Sequence, residues 1–115
     1  MHKKNFNFAW GDITKSVLPQ GKDLIHYRDA LQHLSLEEVH MALKNFKSAD
    51  PKYLMVTSYP AGTNENINTG EYFGINLMRK PFFLWPEYIF SENVLPRHVK
   101  HYFVYTQEMI RAWEL

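Results

Sequence analysis

The run Ser35-Leu36-Glu37-Glu38-Val39-His40-Met41-Ala42-Leu43-Lys44-Asn45-Phe46-Lys47-Ser48 decides the fold class. Ser35 with Glu38 three residues on makes a capping box, in which each side chain satisfies the other residue's backbone N–H. Leu36, Val39, Leu43 and Phe46 recur at helical spacing and form one apolar stripe. Lys44 and Lys47 fall in the last turns, where the helix dipole favours cations. Pro51 forbids continuation, so the helix is expected to end near Ser48.

On either side of this helix lies an apolar run of strand character. Asp23-Leu24-Ile25-His26-Tyr27 is a short strand candidate that leads directly into Arg28-Asp29. Tyr53-Leu54-Met55-Val56-Thr57-Ser58-Tyr59 is aromatic and β-branched and nearly apolar throughout, as suits a strand buried on both faces of a parallel sheet. Two strands separated by a capped helix imply a βαβ unit and a partly parallel sheet, hence an α/β fold. Further on, Tyr88-Ile89-Phe90 and Tyr102-Phe103-Val104-Tyr105 are strand candidates that pair as an antiparallel hairpin across the polar connection Ser91 to His101. Phe6-Asn7-Phe8-Ala9-Trp10 alternates apolar and polar residues before Gly11-Asp12 and predicts a strand that ends in a turn. Val17-Leu18-Pro19-Gln20-Gly21 carries two breakers and predicts a loop. Ala61 to Lys80 has four asparagines, three glycines and no sustained period. That describes a long loop, a kind usually functional or mobile inside a small domain.

The totals narrow the classes. The 115 residues fit one small domain, with 45% hydrophobic and 22% charged residues, a globular composition. Net charge is +1, from 13 basic and 12 acidic residues, and no basic face points to nucleic acid. The absence of cysteine removes disulfides, thiolate metal sites and a cysteine nucleophile. No apolar run approaches the roughly 20 residues of a membrane span, and His2 to Asn7 has no signal-peptide core. A soluble, cytoplasmic protein is therefore expected.

The segment Asp23-Leu24-Ile25-His26-Tyr27-Arg28-Asp29-Ala30-Leu31-Gln32-His33-Leu34 resembles the motif after strand 4 of class I S-adenosylmethionine-dependent methyltransferases. There a hydrophobic strand opens into Arg-Asp and a Leu-x-His-Leu helix start. Gly11-Asp12-Ile13 is similar to the family's acidic turn after strand 3. Lys52 to Pro60 resembles strand 5 and the turn that follows it. Asn64-Glu65-Asn66-Ile67-Asn68-Thr69-Gly70, then Ile75-Asn76-Leu77 and Pro81-Phe82, resemble the continuation seen in one subgroup of the family. The likeness runs from about Phe6 to Trp113. It implies a partial Rossmann-like methyltransferase sheet, equivalent to strands 3 to 7, with one crossover helix and a C-terminal antiparallel hairpin, in one partial domain over residues 1–115.

The resemblance also implies roles for residues. Asp12 and Ile13 are the cofactor-side candidates, with Asp12 hydrogen-bonded to the adenine of S-adenosylmethionine. Arg28, Asp29 and His33 are the acceptor-side catalytic candidates, and a loop carrying Asn64, Asn66, Tyr72 and Asn76 gates the substrate. Each has a plainer alternative: a turn aspartate, a salt bridge or helix cap at Arg28 and Asp29, a packing histidine, a solvated loop. Phe82, Phe83 and Trp85 either line an acceptor pocket or pack in the core, and Trp113 is expected to be a packing anchor. Asp29 and His33 are too few for a metal. His98 and His101 are expected in a solvated hairpin loop.

One family feature has no counterpart. The glycine-rich turn after strand 1 and the ribose-binding acid after strand 2 would precede Gly11, and no G-x-G occurs anywhere. The chain is thus expected to be incomplete as a stand-alone enzyme, with an open apolar edge on its strand 4 equivalent. Such an edge invites self-association or pairing with a complementary methyltransferase half. A non-catalytic binding or assembly module, or a truncated gene product, is the alternative.

Overall fold

The computed structural model describes residues 9–95 and 98–115, and it is a small α/β domain with a four-stranded mixed sheet and two helices. The capping box forms as the spacing predicts. Ser35 Oγ accepts from the Glu38 N–H at 3.2 Å, and Glu38 Oε1 accepts from the Ser35 N–H at 3.1 Å. Helix α1 runs Leu36–Ala49 and stops at Asp50, whose φ of 52° is left-handed. Its buried stripe is Val39, Ala42, Leu43, Phe46 and Ala49, while Leu36 is only partly covered.

Strand β1 (Leu24–Tyr27) pairs in parallel with β2 (Tyr53–Ser58), with Leu24 beside Tyr53 and Tyr27 beside Val56. Strands β3 (Tyr88–Leu95) and β4 (His98–Thr106) form the antiparallel hairpin, and β4 also pairs antiparallel with β2. The strand order is β1-β2-β4-β3, so the hairpin returns to lie beside β2 and leaves β1 and β3 at the edges. The polar connection expected over Ser91 to His101 is instead mostly strand. Glu92 pairs with Lys100 and Asn93 with Val99, so the hairpin is much longer than its apolar residues indicate. An edge strand alternates toward solvent, and its polar residues then look like those of a loop. His101 is therefore a half-buried strand residue stacked on Phe103, and His98 begins β4, so neither lies in a solvated loop.

The core fills one side of the sheet. Leu54, Val56, Phe103 and Tyr105 are fully buried there with Val39, Leu43 and Phe46, and the Tyr27 ring meets Phe46 at 5.3 Å. On the opposite side, Tyr53 is exposed and Met55 half-buried, so β2 is not covered on both faces along its length, contrary to its apolar sequence. The segment after β2 is a long connection, as expected, but a well-anchored one. Ile75, Leu77, Phe82 and Leu84 are buried; Tyr59 N–H donates to Ile75 O, and Leu84 N–H to Leu77 O. Phe83 and Trp85 alternate outward instead.

Helix α2 (Gln107–Ala112) is not evident in the sequence. Thr106 caps it, Ile110 is buried and Trp113 packs edge-on against Tyr105 at 4.9 Å, as an anchor. Of the predicted first strand, Phe6 to Phe8 lie outside the described residues, and Ala9 and Trp10 are not in a strand. No helix among the described residues is long and apolar enough to cross a membrane.

Candidate functional site

Because β1 and β2 run in parallel, their carboxyl ends open at the same end of the sheet, and β4 enters there from the opposite direction. Arg28 and Asp29 follow β1 immediately, Thr57 and Ser58 end β2, and Tyr102 lies opposite Thr57 with Lys100 two residues before it. Asp29 adopts φ 54°, a left-handed conformation that aspartate tolerates better than most residues. Its N–H donates to Thr57 Oγ1 at 3.0 Å, which ties the turn to β2.

The Asp29 carboxylate gathers three donors. Lys100 Nζ lies 2.8 Å from Oδ1, the Tyr59 hydroxyl donates to Oδ1 at 3.2 Å, and Arg28 Nε donates to Oδ2 at 3.1 Å. Arg28 continues to Glu92 at 3.4 Å, and the Tyr102 hydroxyl donates to Glu92 at 2.6 Å. The Arg28 guanidinium stands over the Tyr102 ring, 5.8 Å from its centroid. Two cations and two carboxylates thus neutralise one another, and the cluster is not an anion trap.

Burial pushes the Asp29 carboxyl up, but hydrogen bonds from Lys100 and Tyr59, with the charges of Lys100 and Arg28, outweigh it and hold the group below its ordinary value. A carboxylate so held is a weak proton acceptor, since a general base works best near the operating pH. Asp29 therefore organises the cluster. Burial and then the Asp29 charge push the Tyr59 hydroxyl well up, so it remains a protonated donor.

His33 joins the same end through aromatic contacts. It closes the short 3-10 turn Leu31–His33, which the Ala61–Lys80 loop pins: Gly70 N–H donates to His33 O and Phe73 N–H to Gln32 O. The His33 ring meets Tyr72 at 5.8 Å, and Tyr72 meets Tyr59 at 6.5 Å. His33 Nδ1 lies 3.0 Å from the Glu71 carbonyl oxygen. That oxygen only accepts, so Nδ1 carries the hydrogen and Nε2 holds the lone pair in the neutral ring.

The other candidates serve the backbone. Asn64 donates to Asn76 O and Lys80 O and accepts from the Asn76 N–H. Buried Asn76 donates to Ala61 O, and Asn66 accepts from the Leu36 N–H at the start of α1. Tyr72 is exposed, as is Asn66, while Asn64 is half-buried. Asp12 sits in a turn where Oδ1 accepts from Thr14 N–H and Oγ1, at 2.9 and 2.7 Å. The hydrogen bonds from Thr14 hold its carboxyl below the ordinary value. Asn45 of α1 fastens this turn by donating to Ile13 O and Ser16 O. The described residues contain no group of three His, Asp or Glu able to hold a metal ion.

Tyr59, Glu92, Lys100 and Tyr102 complete the cluster but carry no local signal. Lys100 and Tyr102 share a face by strand alternation, which is legible only once Ser91 to His101 is known to be strand.

Replacing Lys100 by methionine should raise the pH at which Asp29 protonates, read from its carboxyl carbon by NMR. Because the native value is depressed, the stabilisation is present above the unfolded-state value and is lost as pH falls through the native one. The difference in urea midpoint between wild type and Lys100→Met should therefore shrink on acidification. A difference independent of pH would remove the Lys100–Asp29 pair as its source.

No protein family, curated protein or solved structure matches the chain.

Proposed function

We propose that the chain is the acceptor-side part of an S-adenosylmethionine-dependent methyltransferase. The observation that carries this reading is topological: a parallel pair joined through α1, followed by an antiparallel hairpin added beyond β2. That arrangement agrees with a Rossmann-like sheet continuing after its cofactor-binding strands. Ligands of such sheets bind outside the carboxyl ends of the strands, the end where Arg28, Asp29 and His33 gather.

The cofactor's chemistry is an electrophilic methyl, whose in-line transfer depends chiefly on orientation. The residues present fit only its adenine. Asp12 uses Oδ1 on Thr14, which leaves Oδ2 for an exocyclic amine, and Ile13 packs beside it against the core. No G-x-G turn is present in the sequence, so the ribose and methionine contacts belong to a complementary half. On the acceptor side, Asp29 is a positioning residue that holds Arg28 and Lys100, and His33 Nε2 is the group that takes a proton from the acceptor. Tyr72 covers that end from the loop.

With only the adenine held, adenosine should bind weakly, with Kd on the order of 1 mM. A titration followed by amide NMR should shift Asp12, Ile13 and Thr14, and Asp12→Ala should abolish those shifts. Amides at 12 to 14 that stay fixed at millimolar adenosine would sink the reading. A non-catalytic assembly module then takes its place, which the mutual pairing of Arg28, Asp29, Glu92 and Lys100 favours, since charges that satisfy one another leave no partner for a substrate.

A further inference from the structure

Among the described residues, β3 ends the sheet with apolar side chains exposed. One side of β3 pairs with β4, and among the described residues no strand pairs with the other. Tyr88, Ile89 and Phe90 stand 57%, 47% and 56% exposed, and Trp85 is 68% exposed. Chain reach keeps Trp85 within about 10 Å of Tyr88. Proteins usually blunt such an edge with lysine, proline or a bulge. From Tyr88 to Glu92 the edge carries no lysine or proline, and the register irregularity falls beyond it, between Asn93 and Leu95.

We propose that this edge joins two copies of the chain, with β3 antiparallel to β3 about a twofold axis at Ile89, so that the two sheets become one. The residues fit that register. Tyr88 falls opposite Phe90 of the second copy, Ile89 opposite its counterpart, and Glu87 opposite Ser91. Aromatic cross-strand pairs stabilise antiparallel strands, and like charges opposite one another destabilise them. A shift of one step, with Tyr88 opposite Ile89, would place the α1 layers of the two copies on opposite faces, because opposed side chains share a face. The next register on the other side, centred between Ile89 and Phe90, opposes Glu87 and Glu92 as well. Centring on Ile89, which shares its face with buried Phe103, keeps both α1 helices on the same side.

The size of the contact sets its strength. Aromatic side chains offer about 150–250 Å² each. Burying the exposed parts of Trp85, Tyr88, Ile89 and Phe90 in both copies removes roughly 1,000 Å² in total, the lower limit for a specific interface. The dimer should therefore be weak, with Kd of about 1–100 µM. The alternative edge, β1, has four residues and presents fewer apolar groups.

Sedimentation of the intact chain from about 1 to 500 µM should show reversible dimerisation. Ile89→Lys, which sets two charges face to face, should be monomeric throughout with an unchanged circular dichroism spectrum. The chain has no cysteine, so Ile89→Cys should form a disulfide-linked dimer on mild oxidation, because opposed residues lie within disulfide reach. Lys44→Cys, exposed on α1, should form far less. A chain monomeric at the highest concentration would overturn the proposal. So would a dimer that Leu24→Lys dissociates while Ile89→Lys does not, or Ile89→Cys crosslinking no faster than Lys44→Cys.

Discussion

Phe46→Ala is expected to cost about 3–5 kcal/mol of folding stability, the range for a phenylalanine removed from a packed core. Phe46 is fully buried on the inner stripe of α1, against the Tyr27 ring and the sheet face formed by Leu54, Val56, Phe103 and Tyr105. The site has little means of collapse. One wall is a hydrogen-bonded sheet, and the other is a helix fixed at its start by the Ser35–Glu38 box and at its end by Asp50, which Arg111 grips at 2.8 Å through both Nε and Nη2. A domain of this size is stable by about 5–15 kcal/mol in all, so the loss takes a large part of the total. Urea unfolding should show a lower midpoint at constant slope. A loss under about 1 kcal/mol would mean that α1 does not lie on the sheet as described. Phe46→Leu, which keeps most of the volume, should cost much less.

The same residue shows what the sequence made legible. Phe46 belongs to a stripe whose period, cap and proline stop are all local, and local signals survive without knowledge of the fold. Tyr53 to Tyr59 likewise declared a strand by composition. Its apolar character overstated its burial, because Tyr53 is exposed and Met55 only half-buried. The hairpin was harder. Ser91, Glu92 and Asn93 are polar residues that would serve a loop equally well. What makes them strand is the register with Val99, Lys100 and His101, a long-range fact.

The candidate site divides in the same way. Arg28 and Asp29 were legible as the polar pair that ends an apolar strand. Their partners were not, because Tyr59, Glu92 and Lys100 reach them only through sheet order. The asparagines of the loop signalled that the segment matters without signalling how. Asn64 and Asn76 hold its backbone together, and Asn66 caps α1. Carboxamides that serve a loop's own main chain look, in sequence, like carboxamides that await a substrate.

Gly74→Ala should disturb the cluster through Tyr59, although Gly74 touches none of its charges. A Cβ at position 74 would lie 2.9 Å from Tyr59 Cγ and 3.0 Å from Tyr59 Cβ, at the root of the side chain, where little can move aside. Tyr59 is held from both ends: its N–H donates to Ile75 O, beside Gly74, and its hydroxyl donates to Asp29. The ring must therefore tilt away or the loop must lift. The strain should cost about 1–3 kcal/mol, as overpacking does. If the ring tilts, Asp29 loses one of the donors that depress its carboxyl value, and its titration should move up. Loop lifting alone would destabilise without that change, so the carboxyl titration separates the two responses. Tyr59→Ala removes the Cγ contact, and in that background Gly74→Ala should cost clearly less than in the wild type. Residues this close couple, and the coupling is what the double-mutant cycle reads. Equal costs in both backgrounds would show that Gly74 is required for some reason other than the Tyr59 ring, and would break the link from the loop to Asp29.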